Sequence, residues 1–266
     1  MSALVGIVGA VVLILLGMIL KGGTIGGIIN IPAFVMVMGA TTGCLIASSG
    51  LGALGTMVKL CLGPGMKDPP DHRPETIRLL VGFAEKARRE GLLALEDDAR
   101  NVDDPFLQKG VRLIVDGTDP ELVKDVLETE MEESEARHEA GQAIFKNGGG
   151  FAPTIGILAT VLSLVSVLQH LDQPDTLGPK ISAAFLATFY GVAVANVFYY
   201  PMANHLKRHT TAEVGNRILI IEGILSIQSG DNPRVLAEKL WSFLPPAQRE
   251  LEGGSDSEPA ADRAAA

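Results

Sequence analysis

The chain has 266 residues, of which 47% are hydrophobic and 20% charged, with a formal net charge of −9 and a mean hydropathy of +0.28. The acidic balance excludes a protein that binds nucleic acid by neutralising phosphates. Only two cysteines are present, Cys44 and Cys61, which excludes a disulfide scaffold and a cysteine-based zinc site. A positive hydropathy combined with many charges indicates that apolar and charged residues are segregated along the chain, as in an integral membrane protein.

Four segments without Asp, Glu, Lys or Arg are long enough to cross a membrane as helices: 3–20, 30–58, 149–171 and 181–206. The first lacks the basic residues that begin a secretory signal, so we expect it to be a retained span. The predicted fold class is an all-α integral membrane protein with four transmembrane helices and a helical cytoplasmic loop between the second and third spans.

The predicted divisions follow these spans. Residues 1–58 form a first transmembrane hairpin, 59–148 a helical subdomain, 149–206 a second hairpin, 207–249 C-terminal helices and 250–266 a disordered tail. Segment 59–148 carries 13 of the 22 Lys and Arg residues, and 203–266 carries another 7. Because basic residues are retained on the cytoplasmic side, the loop and both termini are predicted to lie there.

The loop sequence favours helices throughout. Between Glu75 and Glu96 the apolar residues recur at the three- and four-residue steps of an amphipathic helix, namely Ile77, Leu80, Val81, Ala84 and Ala87. Helix starts are predicted at Pro74, Pro105 and Pro120. The apolar run from Ile218 to Ile227 is too short to cross a bilayer, and we expect a helix packed on the loop subdomain.

The most charged local stretch of the loop runs from Glu85 to Asp98. If one helix continues through Gly91, Arg89 and Glu96 lie on the same face, two turns apart. Two interpretations remain open for this stretch. It is either a solvated helix face with i,i+4 ion pairs or an interaction surface on which charge guides a partner.

The sequence contains no catalytic constellation, no metal-ligand spacing and no sign of a cofactor site, so we predict that the chain is not an enzyme. Gly148–Gly150 lacks the Lys-Ser/Thr of a phosphate-binding loop, and we expect a hinge into the third span there.

The four uncharged segments contain no Asp or Glu, so a partner must supply the acid if the chain moves an ion. Polar residues are concentrated in the last two spans: Thr154, Thr160, Ser163, Ser166, Ser182, Thr188, Tyr190 and Asn196. They either line an ion path or hydrogen-bond neighbouring helices.

Four motifs in this order resemble the motility protein A family, the larger membrane subunit of the bacterial flagellar stator. They are Arg88-Arg89-Glu90-Gly91-Leu92-Leu93-Ala94-Leu95-Glu96, Ala152-Pro153-Thr154-Ile155-Gly156, Ala187-Thr188-Phe189-Tyr190-Gly191 and the stretch from Glu222 to Arg234. The similarity extends from about Val5 to Pro246.

The resemblance implies a pentamer around two copies of motility protein B, whose single span carries the missing aspartate. Ion flow past that aspartate turns the ring, and the cytoplasmic loop pushes on the rotor switch protein. The family's rotor-binding charges correspond to Arg88, Arg89 and Glu96. Its two functional prolines correspond to Pro153 and Pro201. The expected location is the bacterial inner membrane.

The same resemblance places Thr154, Thr160 and Thr188 on the ion pathway. Thr160 and Thr188 match the sodium-type members and favour Na⁺, because hydroxyl oxygens suit a hard cation; H⁺ is the alternative. Asn30 stands where the family usually has Asp, and Ala159 and Ser163 replace common glycines.

Two other functions fit this architecture. One is an energising subunit of an outer-membrane transport complex, whose known relatives typically have three spans. The other is a membrane channel or scaffold that acts alone.

Overall fold

The computed structural model describes residues 2–246, 248 and 249, and among these every regular element is helical. The described α-helices are α1 (Ser2–Leu20), α2 (Ile31–Ser49), α3 (Gly52–Leu62), α4 (Arg73–Glu90), α5 (Glu96–Arg100), α6 (Pro105–Val115), α7 (Pro120–Leu168), α8 (Pro174–Val194), α9 (Tyr200–Ser229) and α10 (Pro233–Trp241). A π-helical turn, Ala195–Tyr199, joins α8 to α9. The predicted tail at 250–266 lies outside the described residues.

In the part of the chain that the structure describes, four helical stretches are long and apolar enough to cross a membrane: Ser2–Leu20, Ile31–Ser49, Pro120–Leu168 and Pro174–Ser229. Each of them overlaps one of the four uncharged segments of the sequence, which confirms the predicted fold class. The first is the most apolar, with a mean hydropathy of 3.0, and none of its residues is buried within the chain. Its surface is therefore left for lipid or for another protein.

The second uncharged segment, 30–58, is two helices instead of one. Helix α2 ends at Ser49, Gly50 has a φ of 79°, and α3 begins at Gly52. Only glycine adopts this backbone conformation readily, and it ends a helix where it occurs. The 19 residues of α2 are still sufficient for a span.

Gly148–Gly150 does not form the predicted hinge, because α7 runs through all three residues without a break. The absence of side chains serves packing instead. A Cβ atom on Gly148 would lie 2.5 Å from the Tyr199 ring, and one on Gly149 would lie 2.7 Å from the Tyr200 ring. Since two aromatic rings occupy this surface, the glycines are required for close packing and not for flexibility.

Packing divides the described residues into two units. The span unit comprises the residues up to Pro69 with Ala136–Thr210, and the loop unit comprises Pro70–Glu135 with the residues from Thr211. The predicted divisions at 58, 148 and 206 instead follow the ends of the uncharged segments, where the chain is expected to leave the membrane. Grouping by contact does not test those divisions, and they stay predictions.

Within the span unit, α7 and α8 approach each other at two glycines. A Cβ atom on Gly191 would lie 2.4 Å from the carbonyl oxygen of Ala152, and one on Gly156 would lie 3.0 Å from that of Ala187. Small residues at a crossing let two membrane helices bring their backbones together, as they do here. Helix α2 packs on α8, with Ala33 and Val37 in a buried cluster that also contains Ala187.

The core of the loop unit confirms the sequence prediction for 218–227. Leu219, Ile220 and Ile224 are fully buried there together with Ile77 and Leu80. The predicted helix starts at the prolines are also observed, since α6 and α7 begin at Pro105 and Pro120 and α4 has Pro74 in its first turn. Asp104 caps α6 by accepting a hydrogen bond of 2.8 Å from the Phe106 amide.

Replacing Gly191 by alanine should destabilise the span unit by about 1–3 kcal/mol, the usual cost of overpacking. The new methyl group would collide with the Ala152 carbonyl, which cannot move without shifting α7. The measurement is the thermal unfolding midpoint of the full chain in detergent. Gly178→Ala is the matched control, because a Cβ atom on Gly178 in the same helix meets nothing within 4 Å. Equal midpoints for both variants would contradict this packing.

Candidate functional site

The polar centre of the spans is a pair of hydroxyl groups, Thr160 on α7 and Thr188 on α8. Their Oγ1 atoms are 2.5 Å apart. The Thr160 oxygen is also 2.7 Å from the carbonyl oxygen of Ala184 and 3.0 Å from that of Gly156. Four oxygens thus meet where the two helices cross, and both threonine side chains are half-buried. We call these two residues the hydroxyl pair.

One hydroxyl has a single proton, so Thr160 can donate to only one of its oxygen neighbours at a time. The remaining oxygen neighbours then present lone pairs to the Thr160 hydroxyl. An arrangement of this kind suits a small cation better than an anion. The described residues contain no group of three or more His, Cys, Asp or Glu side chains that could hold a metal ion. The four oxygens at the hydroxyl pair belong to two hydroxyl and two carbonyl groups, so the ligands that they offer to an ion are neutral.

Thr154, the third threonine predicted on the ion path, lies apart from this pair. It is exposed, and its hydroxyl donates to the carbonyl oxygen of Phe151 in its own helix at 2.8 Å. No hydrogen bond joins it to Thr160 or Thr188. Its side chain is therefore available at the surface of α7, six residues before the hydroxyl pair.

Tyr190 is a site residue that the sequence placed only in a motif and among the polar residues of the spans. Its hydroxyl donates to the carbonyl oxygen of Ile28 and accepts a hydrogen bond of 2.9 Å from the Asn30 amide. Its ring meets Phe34 edge to face, with 5.8 Å between centroids. Asn30 in turn caps α2 by accepting from the Ala33 amide at 3.0 Å. Tyr190 therefore fastens the 21–30 connection to α8, two residues beyond Thr188.

The two predicted functional prolines both lie within long helical stretches. Pro153 is inside α7, 33 residues after its start, so it is not an ordinary first-turn proline. Pro201 is the second residue of α9 and follows the π-helical turn, in which the Tyr200 amide donates to the Ala195 carbonyl. Each proline removes one backbone donor from its helix and weakens it locally. Such positions are where a helix bends most easily.

The predicted rotor-facing charges lie on two helices, because α4 ends before Gly91, which has a φ of 86°. Arg88 and Arg89 are exposed in the last turn of α4, whereas Glu96 begins α5 after a 3₁₀ turn at Leu92–Leu95. The prediction of a single helix through Gly91 is therefore wrong. Arg89 and Glu96 lie on different helices and do not share a helix face.

Ion pairs connect the charges around this turn. Glu96 accepts from Arg100 at 2.7 Å in an exposed i,i+4 pair, and Lys86 donates to Asp98 at 2.7 Å. The hydrogen bond to Asp98 raises the pKa of Lys86. The exposed pair between Glu96 and Arg100 contributes little free energy, so a partner can replace it at small cost. The pair between Lys86 and Asp98, by contrast, is half-buried.

Comparison with known proteins identifies the class. A sequence model described as the MotA/TolQ/ExbB proton channel family matches residues 98–217. Motility protein A of Bacillus subtilis (strain 168) is 38% identical over 248 residues, which cover 93% of this chain and 92% of that protein. Chemotaxis protein PomA of Vibrio alginolyticus is 32% identical over 252 residues, covering 95% and 98%.

Solved structures agree with these relatives. A chain in the flagellar MotAB stator complex from Bacillus subtilis matches with a TM-score of 0.85 and 37% identity, covering 94% of this chain and 98% of that one. The C. jejuni MotAB structure matches with a TM-score of 0.83 and 32% identity, covering 92% and 96%.

The chain belongs to the motility protein A family. It is a multi-pass inner-membrane subunit of the flagellar stator that couples ion flow to torque. This family is of the ion-channel type and is not a known enzyme family. The named relatives and the two stator structures favour the motor over the outer-membrane transport role that was the alternative.

Replacing Tyr190 by phenylalanine should loosen the 21–30 connection without moving the ring. Two backbone groups lose their partner, at a cost of about 1 kcal/mol. The Asn30 amide should then exchange its hydrogen about fivefold faster, as measured by mass spectrometry of peptides from the full chain. Tyr200→Phe is the control, because no hydrogen bond joins the Tyr200 hydroxyl to any described residue. Unchanged exchange in the Tyr190 variant would refute this fastening role.

Proposed function

We propose that copies of this chain, five by the family resemblance, form a ring around a motility protein B-like partner whose single span carries an aspartate. The observation that carries the proposal is the hydroxyl pair, which lies in spans that contain no acid of their own. The solved relatives are MotAB complexes, which supports such a partner. The aspartate would supply the charge that the hydroxyl pair lacks.

The coupling ion in this proposal is Na⁺, with H⁺ as the alternative. Hydroxyl and carbonyl oxygens replace part of the hydration shell of a hard cation, and four of them meet at Thr160. Thr154, exposed on α7, would be a further oxygen along the same path. No cofactor is needed, because the ion is the translocated species and not a resident group.

We further propose that the loop and both termini face the cytoplasm, as the distribution of Lys and Arg residues indicates. In that orientation Arg88, Arg89 and Glu96 would meet the rotor switch protein. Arg88 and Arg89 are exposed, and no ion pair joins either of them to another described residue. Among the described residues, Glu96 is paired with Arg100 alone, in an exposed ion pair. Arg88 and Arg89 are therefore available to a partner, and Glu96 would give up one exposed ion pair to meet it.

The two prolines would transmit movement between the ion path and the loop. Pro153 precedes Thr160 by seven residues on α7, and Pro201 follows Thr188 beyond the π-helical turn. Both lie where the backbone has lost a donor, so each helix can change its bend there without breaking a further hydrogen bond. A shift at the hydroxyl pair would reach the helices of the loop through these points.

Swimming speed against sodium at constant proton-motive force tests the ion assignment in cells that depend on this stator. Wild-type speed should rise with sodium. Thr160→Val or Thr188→Val should require about tenfold more sodium for half-maximal speed, because one ligand to a charged species is lost. Thr42→Val is the control, since the half-buried Thr42 hydroxyl donates at 2.7 Å to Met38 in its own helix. A wild-type speed independent of sodium would instead establish protons.

Reversing the charge of Arg88 or Glu96 should lower torque while the amount of protein in the membrane stays the same. A reversed side chain would repel the rotor charge that the native side chain attracts, and this repulsion would slow the encounter and misalign the contact. Torque is measured on tethered cells, and abundance by immunoblot of membranes. Asp125→Lys is the control, because Asp125 is exposed on α7 in the same unit and no ion pair with a described residue is seen. Equal torque in all variants would exclude Arg88 and Glu96 from the rotor contact.

A further inference from the structure

A groove with a volume of about 470 Å³ runs between the beginning of α1 and the residues around the π-helical turn and the start of α9. Its wall along the spans is apolar, with Ile7, Ala10 and Val197, and its opposite end is polar, with Asn204, His205 and Arg208. Its size is that of a site for a small molecule. No residue of α1 is buried, so the α1 side of the groove remains accessible among the described residues.

The segment Lys67–Asp68 holds the polar end of the groove together. The Nε2 atoms of His205 and His209 each lie 2.8 Å from the Lys67 carbonyl oxygen. The Ser2 hydroxyl donates to the Asp68 carboxylate, which also accepts from the Ser2 amide at 3.3 Å. The start of α1 and the start of α9 therefore meet at this end, where the spans emerge from the apolar region.

The charge at this end is positive. Lys67, Lys207 and Arg208 are all exposed, whereas Asp68 is already bonded to Ser2. No ion pair joins Arg208 to another described residue. An unpaired guanidinium at the end of an apolar groove between membrane helices is the arrangement that binds an anionic lipid headgroup. Arginine presents its donors to phosphate oxygens two at a time.

We propose that this groove binds a phospholipid with an anionic headgroup. Its phosphate accepts hydrogen bonds from Arg208 and from the exposed amide of Asn204, and an acyl chain lies along Ile7, Ala10 and Val197. The neighbouring Asn196 does not compete, since its amide donates at 2.9 Å to the Val192 carbonyl. The lipid fastens the start of α1 to α9, in addition to the bond between Ser2 and Asp68.

The C-terminal tail of the chain is also acidic and could meet Arg208, but its composition does not suit the groove. From Glu252 onward it contains only Gly, Ser, Asp, Glu, Pro, Ala and one Arg. Before Glu252 the tail has a single large apolar residue, Leu251, which is too little to cover the wall along Ile7 and Val197. A phospholipid matches both the charge and the apolar wall, whereas the tail matches only the charge.

The test is native mass spectrometry of the full chain in micelles that contain equal amounts of dioleoyl phosphatidylglycerol and dioleoyl phosphatidylcholine. The wild-type protein should retain phosphatidylglycerol preferentially. Arg208→Gln should reduce its occupancy about fivefold, the effect of one basic residue near an anionic surface. Lys21→Gln, which removes the same charge just beyond the opposite end of α1, should leave occupancy unchanged.

A steric variant separates groove binding from general attraction between charges. Gly6 lines the groove and Gly9 does not, and a Cβ atom on either meets nothing within 4 Å. Gly6→Leu should fill the groove and lower phosphatidylglycerol occupancy, whereas Gly9→Leu should not. Equal retention of both lipids, or unchanged occupancy in Arg208→Gln and Gly6→Leu, would overturn the proposal. It would also be overturned if Gly6→Leu altered only the oligomeric mass, because a second copy would then fill the groove.

Discussion

The close approach of α7 and α8 at Gly156 and Gly191 determines where the polar groups of the spans can meet. With a Cβ position on Gly191 only 2.4 Å from the Ala152 carbonyl, the two backbones leave no space for a side chain. At this separation the Thr160 hydroxyl reaches both Thr188 and the Ala184 carbonyl. In a hydrocarbon environment these groups have no water to bind, so the contact between helices both satisfies the hydroxyls and brings them together.

The spans could be predicted because hydrophobic length is a property of the sequence itself, and prolines marked several helix starts, but the C-terminal ends of the helices at glycines could not be predicted. Gly50 and Gly91 both have a positive φ and end their helices. Gly148–Gly150, the longest glycine run, ends nothing, because the rings of Tyr199 and Tyr200 pack against it. Whether a glycine serves a turn or a close contact depends on a neighbour about 50 residues away in sequence, which local pattern does not reveal.

Some features of the candidate site could likewise be predicted from the sequence, and others could not. Threonines in uncharged spans are visible in the sequence, and the pair Glu96–Arg100 follows from i,i+4 spacing. That Thr160 and Thr188 touch while Thr154 stands apart depends on the register of two helices. The bonds of Tyr190 were beyond prediction for a different reason. Its partners are backbone atoms of Ile28 and Asn30, and backbone atoms carry no sequence signature.

The lack of charge in the spans helps to explain why ions would pass through the proposed ring only when the ring turns. A cation loses several kcal/mol of hydration energy on entering such a bundle, and hydroxyl and carbonyl dipoles restore only part of it. The hydroxyl pair alone would therefore hold an ion poorly. In the proposed ring each copy presents the same neutral pair, and only the copy opposite the partner's aspartate would bind an ion well. Occupancy would then depend on the angle between ring and partner, so that an ion could complete its passage only as that angle changed.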